Sequence, residues 1–122
     1  FINLQYDQCQ AELEAARQQF GVQIHMAPGI NLKDELDEAA ALTAALDLVI
    51  TAGTSVGDLA GALGKKTWRY TLDNVWIRLG TDHLPWSPSV ALYQKKWNEP
   101  WEPLLQQIGQ DLEAWSGEER NT

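Results

Sequence analysis

One turn of the sequence combines residue types that could bind an anionic ligand. Residues 51–57, Thr-Ala-Gly-Thr-Ser-Val-Gly, join a continuous apolar run to a predicted helix. Gly53 permits a tight turn with positive φ. Thr54 or Ser55 at the N-cap would leave hydroxyls and backbone N–H groups pointing outward. Such a helix start can bind a phosphate, although the same residues also serve simply to begin a helix.

Other chemistry is limited by residue type. The turn matches neither the dinucleotide-binding glycine pattern nor a phosphate loop with Gly-Lys-Ser, so neither a nicotinamide, a flavin nor ATP hydrolysis is predicted. A single cysteine, Cys9, excludes a disulfide framework and a multi-cysteine zinc site, and it lies on the apolar stripe of a predicted helix. His25 and His83 are far apart in sequence. We therefore predict no metal site and no cofactor.

The charge pattern narrows the class of partner. The chain carries 17 acidic and 9 basic residues, a formal net charge of -8, which argues against non-specific nucleic-acid binding. No apolar run is long enough to span a membrane, and we predict a cytoplasmic protein. The middle of the chain is locally basic, which could favour a small anionic ligand or reflect solvated side chains at strand ends. These residues are Lys65, Lys66, Arg69, Arg78, Lys95 and Lys96.

Strands and helices alternate along the chain and must position this turn. Apolar and β-branched runs predict strands over residues 1–6, 22–26, 48–52, 67–72 and 90–94. Helical periodicity predicts helices over residues 8–20, 32–46, 56–63 and 101–115, with an irregular piece over 74–79. This alternation predicts an α/β fold with a mostly parallel, Rossmann-like sheet covered by helices on both faces. Ligands in such sheets bind beyond the carboxyl ends of the strands, where the turn would lie.

The length of 122 residues fits one domain. We predict a single α/β domain over residues 1–117 and a frayed tail over residues 118–122. The chain begins at Phe1 with residues that already look like a strand, so we expect a piece of a longer protein.

Residues 47–65, DLVITAGTSVGDLAGALGK, resemble the signature stretch of bacterial glycosyltransferases related to the heptosyltransferases. The versions that follow tetratricopeptide repeats are the most similar. Trp68 and residues 80–89 resemble the downstream block of this family, and residues 1–6 resemble its upstream strand. The resemblance implies the carboxyl-terminal, donor-binding half of a GT-B fold that lacks its first strand.

The resemblance also implies ligand contacts. The residues facing the diphosphate of a nucleotide-sugar donor would be Gly53, Thr54, Ser55, Val56 and Gly57. Candidate nucleoside or sugar contacts are Gln5, Tyr6, Trp76 and His83. Such enzymes need no metal, because helix N–H groups and basic side chains stabilise the departing diphosphate. The implied partners are an amino-terminal acceptor domain and tetratricopeptide repeats, and we assign no catalytic residue.

Two residues depart from the family pattern and support an alternative. Gly53 stands where the family often has an acidic residue, and Asp58 stands where it often has a histidine. A carboxylate at position 58 would repel a diphosphate. The alternative is a degenerate GT-B-like domain that acts as a non-catalytic binding or scaffold module. A receiver-like domain is disfavoured, since Asp7 alone lies properly at a strand end.

Two structural expectations follow. A missing first strand would leave a gap in the sheet, which a rearranged strand order or a homodimer would close, or which would leave an apolar edge exposed. Trp76, Trp86 and Trp97 lie in predicted loops, where they could stack on a ligand, although we favour a role as buried loop anchors. We interpret His83 as a surface or loop-packing histidine.

Overall fold

Three parallel strands form the sheet at the centre of the computed structural model, which describes residues 1–121. They are β1 (Val49–Ala52), β2 (Thr67–Leu72) and β3 (Val90–Lys95), in that spatial order. Both pairings are parallel, so β1 and β3 are the two edges. β-branched and aromatic residues fill these strands because they pack well on a pleated surface. The predicted α/β class with a parallel sheet is confirmed.

The described residues also form four α-helices. They are α1 (Gln10–Phe20), α2 (Leu36–Ala45), α3 (Ser55–Ala62) and α4 (Glu102–Arg120), and a short 3-10 helix covers Trp76–Arg78. α4 continues beyond its predicted end at Trp115. The division into a domain over residues 1–117 and a tail over residues 118–122 stays a prediction, and Thr122 lies outside the described residues.

The predicted strands over residues 1–6 and 22–26 do not join this sheet. They meet in a single parallel bridge between Ile2 and His25. In that bridge Asn3 N–H donates to the His25 carbonyl at 2.8 Å, and His25 N–H donates to the Phe1 carbonyl at 2.9 Å. These two segments therefore do not extend the parallel sheet, and the bridged amino-terminal pair stands apart from β1.

The two faces of the sheet carry different helices. Strand alternation places Thr51 and Arg69 on one face, where they approach Gly57 of α3. Trp68 and Tyr93 lie on the other face with ring centroids 5.6 Å apart, and Trp115 of α4 contacts Trp68 at 6.4 Å. Helices therefore cover both faces, as predicted.

A part-buried hydrogen bond ties α4 to β3 and makes stability depend on pH. Tyr93 Oη donates to Asp111 Oδ2 at 2.7 Å. Burial, and then this bond to a carboxylate, raises the pKa of Tyr93 to about 12. The folded pKa lies above the unfolded value, so the stabilisation is complete below the unfolded pKa and disappears as the pH rises toward the folded one.

We expect the free energy of unfolding to fall between about pH 10 and pH 12. The measurement is urea denaturation across this range for the parent chain and for Tyr93→Phe, which cannot ionise. In Tyr93→Phe, the free energy of unfolding should fall less steeply with pH over this range. Equal slopes in the two proteins would show that Tyr93 has no raised pKa.

Candidate functional site

The turn after β1 begins α3 without a side-chain cap. Thr54 is the N-cap residue, with extended backbone, but its hydroxyl makes no capping hydrogen bond. It lies 3.4 Å from the Thr51 hydroxyl instead. The N–H groups of Gly57 and Asp58 donate to the Thr54 carbonyl at 3.1 and 3.3 Å. The predicted helix start, with Thr54 at the N-cap, is confirmed, and Thr54 and Ser55 are both exposed, although the Thr54 hydroxyl makes no capping hydrogen bond.

The two glycines of the turn, Gly53 and Gly57, differ in how closely other atoms approach them. Gly53 does not have a positive φ, so that prediction is wrong. A Cβ at Gly53 would lie 3.5 Å from Arg69 Nη2, an ordinary van der Waals contact. A Cβ at Gly57 would lie only 3.0 Å from Thr51 Cγ2. The close approach of α3 to β1 therefore depends on Gly57.

The corner beneath the turn is filled by an ion pair. Arg69 Nη1 donates to Asp58 Oδ1 at 2.6 Å, with the arginine side chain 8% exposed and the aspartate 68% exposed. Arg69 Nε is buried and has no hydrogen-bond partner within residues 1–121. The guanidinium is the cation that lies nearest Gly53 and Gly57, and it is already paired with a carboxylate.

A second basic side chain is also internal. Lys95 is buried, its Nζ donates to the Lys96 carbonyl at 2.9 Å, and it lies 4.4 Å from the centre of the Trp101 ring. This cation–π contact and the carbonyl offset the loss of water around the ammonium. Arg69 and Lys95 are therefore not the solvated strand-end residues that the sequence allowed. Lys66 and Lys96 are exposed, as that interpretation expects.

The structure does not bring the four candidate nucleoside and sugar contacts into one groove. Gln5 and Tyr6 line a groove with Thr54 and Val56 of the turn. Trp76 and His83 do not line that groove. His83 Nδ1 lies 2.9 Å from Asp82 Oδ1, and this hydrogen bond lowers the pKa of Asp82. His83 is exposed, which confirms its interpretation as a surface histidine.

The groove lies between the amino-terminal segment and the open edge of β1, and we call it the strand gap. It has a volume of about 800 Å³. Residues 1–7 form one side and residues 46–52 form the other. Cys9 and residues of three helices also line it: Glu12, Leu13, Val56, Leu112 and Trp115. Cys9 is buried, as predicted from its place on an apolar stripe.

Three tryptophans are exposed to solvent. Trp76 is 81% exposed, Trp86 is 75% exposed and Trp97 is 80% exposed. The favoured interpretation of these residues as buried loop anchors is therefore wrong. Trp76 follows β2 and Trp97 follows β3, and the ends of these strands are neighbours through the pair Leu72–Lys95. Trp76 and Trp97 thus both follow the carboxyl edge of the sheet.

Residues 1–121 contain neither a metal-binding cluster nor a helix that could span a membrane. No group of three or more His, Cys, Asp or Glu side chains there is arranged to hold a metal ion. No helix in this part of the chain combines the length and apolarity needed to cross a bilayer.

The chain is similar to one part of a known protein. The chain is 41% identical over 112 residues to Protein FlbA of Caulobacter vibrioides, a match that covers 92% of this chain. It spans only 19% of the length of that protein. No protein-family model matches the chain, and no solved structure matches it.

These comparisons overturn the resemblance to heptosyltransferase-like glycosyltransferases. The protein matched along most of the chain is named FlbA, not a glycosyltransferase. The structure gives a physical reason why the signature misled. Its small residues serve packing, because a Cβ at Gly57 would crowd Thr51 and one at Gly61 would lie 2.9 Å from Ser87 Cβ. The donor-binding prediction is wrong, and the chain is a relative of one part of FlbA.

Proposed function

We propose that this domain is a non-catalytic module that binds another protein. The observation that carries the proposal is the exposure of Trp76 and Trp97 beyond the carboxyl edge of the sheet. Tryptophan is enriched among the few residues that dominate binding energy at protein interfaces. An exposed indole gains free energy when a partner covers it, because its large apolar surface leaves water.

The ion pair under the turn favours this function over binding of a phosphorylated substrate. Arg69 could supply positive charge near Gly53 and Gly57, but Asp58 already neutralises it. An incoming phosphate would meet the exposed carboxylate of Asp58 at close range. Whether residues 53–57 contact an anion stays a prediction.

The test is crosslinking of the full-length protein in its own cells, followed by identification of the crosslinked partner. We expect a specific partner to be captured by the parent protein and lost from the double variant Trp76→Ala/Trp97→Ala. Truncating a central interface tryptophan typically costs at least about 2 kcal/mol of binding, or about thirtyfold in Kd. The matched control is Phe20→Ala at the end of α1, which removes another exposed aromatic side chain.

Three results would contradict the proposal. Capture that survives in the double variant, or that is lost equally in Phe20→Ala, would show that the two tryptophans do not bind the partner. The third result would come from an NMR titration with nucleoside diphosphates. We expect the amides of residues 53–57 to stay unshifted at millimolar ligand, whereas specific shifts there would indicate a ligand-binding site instead.

The finer architecture belongs to the same proposal. We propose that residues 1–117 form one Rossmann-like unit, in which the strand gap takes the position of an absent strand between the amino-terminal pair and β1. The predicted cytoplasmic location and the predicted homodimer stay predictions.

A further inference from the structure

We propose that the strand gap binds an extended, apolar peptide of a partner protein whose ends carry basic residues. This inference rests on the proposed function and specifies what kind of peptide the partner protein presents. The peptide would add a strand between Ile2 and β1, the mode of recognition called β-augmentation.

Backbone groups on both sides of the gap face away from their existing partners. Val49 N–H donates to the Lys66 carbonyl at 3.0 Å, so Val49 and Thr51 pair with β2. Strand alternation then turns the N–H and C=O of Ile50 toward the open edge. On the far side, His25 bonds to Phe1 and Asn3, which turns the N–H and C=O of Ile2 away from His25.

The walls of the gap match the surroundings of a central strand. Leu112 and Trp115 of α4 line it from one face of the sheet, and Val56 of α3 lines it from the other. A strand covered on both faces is apolar throughout rather than alternating. Each strand residue fills roughly 160 Å³, given a rise of about 3.3 Å, a strand spacing of about 4.8 Å and layers about 10 Å apart. The volume of about 800 Å³ therefore suits about five apolar residues.

Charge selects the ends of the peptide. The charged side chains that line the gap are Asp7, Glu12 and Asp47, and no lysine, arginine or histidine lines it within the described residues. Asp47 lies just before β1 and Asp7 just after the amino-terminal segment. Lysine or arginine at both ends of the apolar core would therefore meet complementary charge, and the gap would reject an acidic peptide.

The probe is a blocked peptide with a five-residue core of valine and isoleucine between lysines, confirmed to be monomeric at the concentrations used. NMR titration should shift and protect the amides of Ile50 and Ile2. The control peptides carry glutamate in place of lysine, or backbone N-methyl groups in the core. We expect each control to bind at least about tenfold more weakly, because a charge-assisted or backbone hydrogen bond is lost.

Variants at Ile50 distinguish the contribution of backbone hydrogen bonds to peptide binding from the contribution of side-chain contacts. Strand alternation leaves the Ile50 N–H without a bond to β2, and Ile50→Pro removes this N–H at an edge position where proline is tolerated. It should weaken binding by about tenfold or more, whereas Ile50→Ala keeps the N–H and should weaken it less. The N-methyl peptides leave the protein unchanged, so the result does not depend on the folding of Ile50→Pro.

Several outcomes would overturn the inference. Equal binding of the lysine and glutamate peptides, or of the N-methylated peptide, would contradict it. A concentration-dependent dimer that Ile50→Pro abolishes would identify the occupant as a second copy of this chain. Failure here with continued partner capture through Trp76 and Trp97 would reject the strand gap as the binding site and leave the proposed function intact.

Discussion

Replacing Asp58 with alanine is expected to lower the free energy of unfolding by about 2–3 kcal/mol. The substitution leaves the guanidinium of Arg69, which is 8% exposed, without its charged partner. Its Nε has no hydrogen-bond partner in residues 1–121 even in the parent chain. Breaking a fully buried pair costs about 3–5 kcal/mol, and the exposure of Asp58 lowers that figure. Urea denaturation gives the change from the shift of the midpoint.

The second substitution in this test removes the guanidinium of Arg69, which Asp58→Ala leaves without a charged partner. Arg69→Met fills similar space with an apolar side chain, so the double variant Asp58→Ala/Arg69→Met should be more stable than Asp58→Ala alone. Asp73→Ala is the control, because Asp73 is an exposed aspartate with no side-chain ion pair to any of the described side chains. If the changes in the free energy of unfolding caused by Asp58→Ala and Arg69→Met simply add, Asp58 does not stabilise the buried charge of Arg69.

Gly61→Ala is expected to cost about 1–2 kcal/mol, although alanine is the better helix former. A Cβ at Gly61 would lie 2.7 Å from Ser87 Oγ and 2.9 Å from Ser87 Cβ. Either α3 or the loop before β3 must move, because Val90 Cγ2 is also only 3.1 Å away. Overpacking of this kind outweighs the gain in helix propensity.

Gly109 provides the matched control. It also lies within a helix, but a Cβ there would meet nothing within 4 Å. Gly109→Ala should therefore raise the free energy of unfolding by up to about 1 kcal/mol. Thermal and urea denaturation of both variants would compare the sites directly. A stabilised Gly61→Ala protein would show that α3 is not in tight contact with the loop at Ser87.

Local pattern predicts the secondary structure well but not the pairing of distant strands. β2 has the bounds that its β-forming residues predict, and α3 is shifted by one residue. The segments at Ile2 and His25 have strand-like composition, yet they form only one bridge. Whether such segments join a sheet depends on contacts between parts far apart in the chain, which periodicity does not encode.

The candidate site shows the same limit. The sequence places the turn after β1, but it treats Arg69 as a surface charge because charged residues are seldom buried. Its partner Asp58 becomes recognisable only when β2 lies beside β1, with Arg69 paired to Thr51 in register. The exposure of Trp97 could not be predicted from the sequence either, because tryptophans in loops are buried in some proteins and exposed in others.

The single bridge between Ile2 and His25 also affects how easily the amino-terminal part of the domain opens locally. Hydrogen bonding along strands unites β1, β2 and β3, whereas one bridge holds the amino-terminal pair together. Local opening of residues 1–26 should consequently require less free energy than global unfolding, so the chain behaves as two weakly coupled cooperative units. A peptide strand bound between these two units would join them into one cooperative unit. Peptide binding would then increase the cooperativity of unfolding.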